Sequence, residues 1–143
     1  MEKHEIKPII DSLIFLEICE KLKYIKDCKL KEDRLYNLMI AGLYDNKIYS
    51  YASFDRNKIN GCSVLYVNED INGELSLFVI LLWIDPHYPL LWKKYKDFVE
   101  KKAKEFKVRK ISFTTNREEK AVIRKLGKYG YKKSNVIFEK EVV

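Results

Sequence analysis

The sequence predicts a single α/β domain over residues 1–143, built on one mixed sheet. An antiparallel meander over 48–84 is followed by a parallel strand over 108–115, and about four helices flank the sheet. Three observations lead there. "IYSYASF" (48–54) and "CSVLYV" (62–67) are rich in aromatic and β-branched residues, and the loops after them, "DRNKING" and "NEDING", each end in Asn-Gly. That dipeptide tolerates the positive φ of hairpin turns. "ELSLFVILLWI" (74–84) is almost continuously apolar, as a strand covered on both faces is. After Pro86 and Pro89 the period changes from strand to amphipathic helix, and a helix that crosses over between two strands makes them parallel.

The remaining elements follow in order. "EIKPII" (5–10) reads as a short first strand, with Pro8 suited to a sheet edge. Asp11 or Ser12 offers an N-cap for a helix to about Ile25, with Phe15, Ile18, Cys19 and Leu22 at helical spacing. A second helix near 32–43 places Leu35, Leu38, Met39 and Leu43 on one side, and "DNK" ends it. In the helix after Pro89, which is expected in the first turn, Leu91, Tyr95, Phe98, Val99, Ala103 and Phe106 share a face. Lys93, Lys96, Asp97, Glu100, Lys101 and Lys104 face away. "VRKISFTT" (108–115) is the next strand. A helix over 116–130, capped by Thr115 or Asn116, and a strand over 135–142 close the chain. The expected core includes Phe78, Ile80, Leu82, Ile111, Phe113, Leu126 and Ile137.

Composition bounds the function. With 47% apolar and 34% charged residues, the chain is globular in character. Its longest apolar run is far short of the roughly 20 residues of a spanning helix, and "MEKHEIKP" lacks an apolar signal core. No membrane association is expected. Three cysteines without a Cys-x-x-Cys point to buried thiols in a reducing compartment, the cytoplasm. Two isolated histidines, His4 and His87, are too few for a metal centre. Net charge is +7, and residues 93–133 alone carry 16 Lys or Arg against five Asp or Glu. Such asymmetry fits an acidic partner: a phosphorylated cofactor, an acidic protein surface or a nucleic acid.

"LWIDP" and "FTTNREEKAVIRKLGKYGYKKSNVIFEKEV" carry a family resemblance. An apolar strand ends at Ile84-Asp85-Pro86. Asn116 follows the next strand, Ala121, Ile123 and Leu126 mark a helix, Gly130-Tyr131 ends it, and Lys140 lies in the last strand. In this the chain resembles the GNAT superfamily, the Gcn5-related N-acetyltransferases, and more loosely the small GNAT-like proteins of phages, which would make it virion-associated. The resemblance implies an acetyl-CoA site where the central strand meets the next helix. There a glycine-rich loop presents its amides to the pyrophosphate. Trp83, Ile84, Lys93, Lys94 and Asn116 are the cofactor-binding positions it implies.

The chain departs from the family at three points. "DPHYPLLWKKY" has no glycine, Pro89 lacks an amide proton, and Leu90, Leu91 and Trp92 are bulky where the loop must be bare. Leu126 stands where many members carry the tyrosine that protonates the thiolate. Glu74 and Asp85 flank the central strand, but nothing marks either as a base. The reading is a GNAT-fold interaction protein with no catalytic residues and no cofactor, part of a larger assembly. Tyr88, Trp92, Lys96, Lys101 and Lys104 form its basic and aromatic surface for an acidic protein partner. Trp92 is expected to fill the space that pyrophosphate takes in active relatives. Two alternatives stand beside it: an acetyl-CoA-dependent N-acyltransferase with an atypical loop, and a basic nucleic-acid-binding module.

Overall fold

A computed structural model describes residues 4–25, 28–113, 126–132 and 140–142. Five strands form one sheet in the order β1-β2-β3-β4-β5: β1 Lys7–Pro8, β2 Ile48–Asp55, β3 Lys58–Glu69, β4 Leu75–Ile84 and β5 Lys110–Ser112. The first four pair antiparallel, and β5 runs parallel to β4. Among the described residues there are three α-helices: α1 Ser12–Glu20, α2 Glu32–Asp45 and α3 Leu91–Glu105. Most of the expected strand over 135–142 and of the expected helix over 116–130, and Asn116 and Ile137 with them, lie outside the described residues; residues 140–142, which are described, are not in a strand. Leu126, inside the expected core, is half-buried.

The first helix follows its sequence closely. Asp11 is the N-cap, accepting from the Leu13 amide at 2.8 Å, and Phe15, Ile18, Cys19 and Leu22 are all buried. Its last turn tightens into a 3₁₀ helix, Lys21–Tyr24. In α2 the buried stripe is Leu35, Met39 and Gly42, not Leu43, which is 40% exposed. A β-carbon on Gly42 would stand 2.5 Å from the Ile48 carbonyl oxygen, so the bare glycine lets α2 lie directly on β2. Asn46 ends the helix in the left-handed region, at φ 56°.

Two register shifts shape the sheet. The turn from β2 to β3 is Arg56-Asn57, both at positive φ, so β3 starts at Lys58 and not at Cys62 as expected. Asn60-Gly61, which the sequence places at the loop's end, lies inside the strand. Gly61 pairs with Ser53 and Ile59 with Phe54, so Asn60 is an unpaired bulge residue. Asn72-Gly73 does sit in a turn: Gly73 has φ 79°, and the Asp70 carboxylate accepts from the amides of Asn72 and Glu74.

In β4 the bulge residue is Ile80, since Val64 pairs with Leu81 and Leu65 with Val79. It changes which side chains enter the core. Leu77 packs with Tyr51, Leu65, Val99 and Ala103 beneath α3. Leu81 and Trp83 pack with the residues of α1 and α2 on the opposite face. A strict alternation makes Phe78, Ile80 and Leu82 core; they are half-buried, and Leu77, Leu81 and Trp83 are the buried ones. Ile111 and Phe113 are half-buried too, because β5 meets β4 only from Ser76 to Phe78. In α3, Leu91, Tyr95, Val99 and Ala103 are buried as expected, while Pro89 precedes the helix instead of occupying its first turn.

A buried polar chain ties α3 to the sheet. Ser53 Oγ donates to Asn60 Oδ1 at 2.6 Å, which spends its one proton, so the Tyr95 hydroxyl donates to Ser53 at 2.8 Å. The Asn60 amide nitrogen bonds His4 Nδ1 at 2.7 Å. The Tyr95 ring reaches Ser53 only across Gly61, where an added β-carbon would lie 2.6 Å from the ring. Gly61→Ala is therefore expected to cost about 1–3 kcal/mol through overpacking. Urea unfolding of the variant measures the loss; an unchanged midpoint would refute the contact.

Candidate functional site at the carboxyl end of β4

β4 outruns its parallel partner. Beyond Phe78, residues 79–84 have no ladder on the β5 side among the described residues. This is an open backbone edge beside the Ile80 bulge, and it begins where α3 crosses the sheet. Ile84 is half-buried and pairs with Gly61 on its other side. Trp83 is buried against the α1 face, with the Tyr24 ring 5.9 Å away and Lys21 Nζ 4.9 Å above its own ring. The indole of Trp83 thus faces away from α3, and only the backbone of this position is shared with the open edge.

Most amides of the following segment are taken up by acceptors within the chain. The Asp85 amide donates to the Asn60 carbonyl at 2.8 Å and the Tyr88 amide to the Asp85 carbonyl at 2.9 Å. The His87 amide donates to Asp85 Oδ1 at 2.9 Å. Those of Leu91 and Trp92 donate to the carbonyls of Tyr88 and Pro89 at 3.0 and 3.4 Å. Pro86 and Pro89 have no amide proton. A phosphate at this helix start would meet carbonyls and prolines where a glycine-rich loop presents a ring of donors.

The remaining candidate residues fall into separate groups. Trp92 stacks on Tyr129 with centroids 5.6 Å apart, and Lys96 Nζ lies 4.4 Å from the centre of the same Tyr129 ring. The Lys96 side chain is only 12% exposed and pairs with Asp97 at 2.9 Å and Glu100 at 3.3 Å. Lys93, Lys101 and Lys104 are exposed, and Lys94 is half-buried. Tyr88 leaves this group and donates its hydroxyl to Asp55 on the β2–β3 turn. Glu74 is tied to Arg109 at 2.8 Å.

Titration behaviour follows from these contacts. The Asp85 carboxyl is held below its ordinary value, chiefly by the His87 amide and then by the His87 ring, which is the wrong direction for a general base at neutral pH. Burial pushes the Tyr131 hydroxyl up. Burial raises Cys62 to about 12 and Cys19 to about 11. Among the described residues no group of His, Cys, Asp and Glu is placed to hold a metal ion, and no helix is long and apolar enough to cross a membrane.

Solved structures share this architecture. The aminoglycoside N-acetyltransferase AAC(6')-Iy, in complex with the bisubstrate analogue CoA-S-monomethyl-acetylneamine, matches with a TM-score of 0.75 at 13% identity, over 99% of this chain and 100% of its own. A predicted acetyltransferase of Clostridium acetobutylicum with acetyl-CoA matches at 0.73 and 13% identity, over 96% and 95%. AAC(6')-Ih of Acinetobacter baumannii matches at 0.72 and 12%, over 97% and 98%. No protein-family model and no curated protein matches the chain by sequence. The chain has the GNAT fold.

Sequence reasoning overlooked the Ser53–Asn60–Tyr95 chain. Asn60-Gly61 was the signal, but it reads equally as a turn.

Two outcomes check this geometry. A folded-state value below the unfolded one means that Asp85 stabilises the protein above the ordinary carboxylate range and that this contribution is lost as pH falls through the folded value. The stability gap between wild type and Asp85→Asn in urea melts should therefore be present at about pH 7 and narrow as pH falls below the ordinary carboxylate value of about 3.9. A constant gap would refute it. The half-buried Cys28 should be alkylated by iodoacetamide at least about ten times faster than the two buried thiols. Mass spectrometry after partial labelling reads this.

Proposed function

We propose that this chain is a non-catalytic GNAT-fold interaction protein whose acyl-CoA site has lost its phosphate cradle. The observation that carries the reading is the spent amides. Five of them between Asp85 and Trp92 are satisfied within the chain, and Pro86 and Pro89 supply none. The residues at the helix start do not fit a pyrophosphate. Lys93 and Lys94 could reach phosphates only as side-chain charges near the surface, and such pairing is weak and screened by salt. Trp92, stacked on Tyr129, contributes bulk at the same helix start. Leu126 offers no acid at the tyrosine position, and Asp85 is tuned toward its charged form.

The surface offered to a partner is the outer side of α3, where Lys93, Lys101 and Lys104 stand exposed near the Trp92 and Lys96 stack on Tyr129. A protein with an acidic face is the partner this chemistry favours.

One observation favours a second reading, an acetyl-CoA-dependent N-acyltransferase. The open edge of residues 79–84 leaves backbone groups beside the Ile80 bulge, with which a pantetheine arm could pair. There the backbone at Trp83 and Ile84 would hold the arm, with Lys93 and Lys94 toward the phosphates. Bound acyl-CoA would supply an activated thioester.

Isothermal titration with acetyl-CoA separates the readings. The first expects a dissociation constant no tighter than roughly millimolar at physiological salt, equivalent to about −4 kcal/mol. A micromolar constant that resists salt would overturn it and establish the second.

A further inference from the structure

The β2–β3 turn and the segment after β4 enclose a cleft that neither of these readings uses. It holds about 260 Å³, and Asp55, Arg56, Lys58, Asn60, Asp85 and Tyr88 form its polar walls. The buried Ile59 lines it as well. A second recess of about 390 Å³ adjoins it through Asp55 and Arg56 and adds His4 and Phe54.

Part of the wall is held in place by contacts within the chain. Arg56 and Asn57 hold φ at 50° and 67°, which fixes the two-residue turn that carries the first side chains. Tyr88 is tied to Asp55, and its ring meets His4 edge-on at 5.3 Å. Asn60 is almost fully buried, and its side chain is committed to Ser53 and His4. The Asp85 amide is anchored on the Asn60 carbonyl. The Asp55, Asn60, Asp85 and Tyr88 side of the cleft is thus tied in place within the chain, which lowers the ordering cost of binding a ligand there.

Its charges are balanced but incompletely used. Asp85 engages only Oδ1, with the His87 amide and ring, and Asp55 engages only Oδ2, with Tyr88. One oxygen of each carboxylate makes no hydrogen bond among the described residues. The side chains of Arg56 and Lys58 are exposed and make no hydrogen bond or ion pair among the described residues. A simple anion would meet two carboxylates here, and a simple cation would meet a guanidinium and an ammonium. Only a molecule carrying both signs satisfies both halves. The cleft's own volume lies below the roughly 300–1,000 Å³ of drug-sized pockets, so the part of the ligand it holds is small.

We propose that this cleft binds a free α-amino acid with an apolar side chain. Its ammonium lies on the open oxygens of Asp55 and Asp85. Its carboxylate lies on the Arg56 guanidinium, whose fork suits bidentate contact, with Lys58 beside it. Its side chain lies on Ile59, toward Phe54. The lowered carboxyl of Asp85 agrees with a charged ammonium partner at neutral pH.

The test is a titration of the ¹⁵N-labelled protein with L-leucine, followed by amide shifts. Residues 55–60 and 85–88 should move together and saturate in the millimolar range or tighter, roughly −4 kcal/mol or better. N-acetyl-L-leucine, which lacks the ammonium, and L-leucinamide, which lacks the carboxylate, should each bind at least about tenfold more weakly. Arg56→Ala lies on an exposed turn and should leave the spectrum folded while weakening leucine by about tenfold or more. Equal binding of either blocked analogue, undiminished binding to Arg56→Ala, or no shift in these residues at about 20 mM leucine would each overturn the proposal.

Discussion

The structure depends on one hydrogen-bonded chain, from the Tyr95 hydroxyl to Ser53 and on to Asn60. A buried phenol without a partner costs as much as a lost hydrogen bond or more. Once α3 buries Tyr95, the sheet must offer it an acceptor. Ser53 is left as that acceptor because its own proton goes to Asn60, the extra residue of β3, and the ring reaches it because Gly61 has no side chain. The same bulge turns the Asn60 carbonyl toward the Asp85 amide and its side chain toward His4. One irregularity in one strand therefore sets the pitch of α3, the exit of the chain from β4 and the position of the N-terminal segment.

Much of this was legible in the sequence, and the misses have physical causes. Asp11 as a cap, the buried stripe of α1, the apolar face of α3 and the parallel pairing of β4 and β5 follow from periodicity and chain connection, which are local or nearly so. The turn at Arg56-Asn57 was not legible. Its residues adopt positive φ without glycine, while Asn60-Gly61, the better turn signal, serves a long-range contact with Tyr95. The phase of β4 was also hidden. An all-apolar strand carries no alternation to read, and the Ile80 bulge moves the buried set to Leu77, Leu81 and Trp83. At the candidate site the absence of glycines was visible. That the segment would turn its amides inward was not, because this depends on Asp85 and Asn60 lying side by side.

The GNAT fold here separates two things that a cofactor site needs. The scaffold, an open edge on β4 with a bulge in it, is set by strand lengths and register. The donors depend on a handful of backbone groups at the start of α3. On the proposed reading, prolines and bulky apolar residues in place of glycines remove the second while leaving the first, since the sheet gains its stability from Leu65, Leu77, Leu81 and their neighbours on both faces. Fold and chemistry can therefore part without loss of packing.

The open edge of β4 also bears on how molecules of this protein behave toward one another. Among the described residues, the six successive apolar residues 79–84 have no strand partner on one side, and such an edge is a template for the addition of a further strand from another molecule. The Ile80 bulge interrupts the regular spacing such growth requires, and a chain carrying +7 repels its copies at moderate salt. Colloidal stability thus rests on one extra residue in a strand and on an excess of lysine. Raising the salt removes the second protection and leaves only the first.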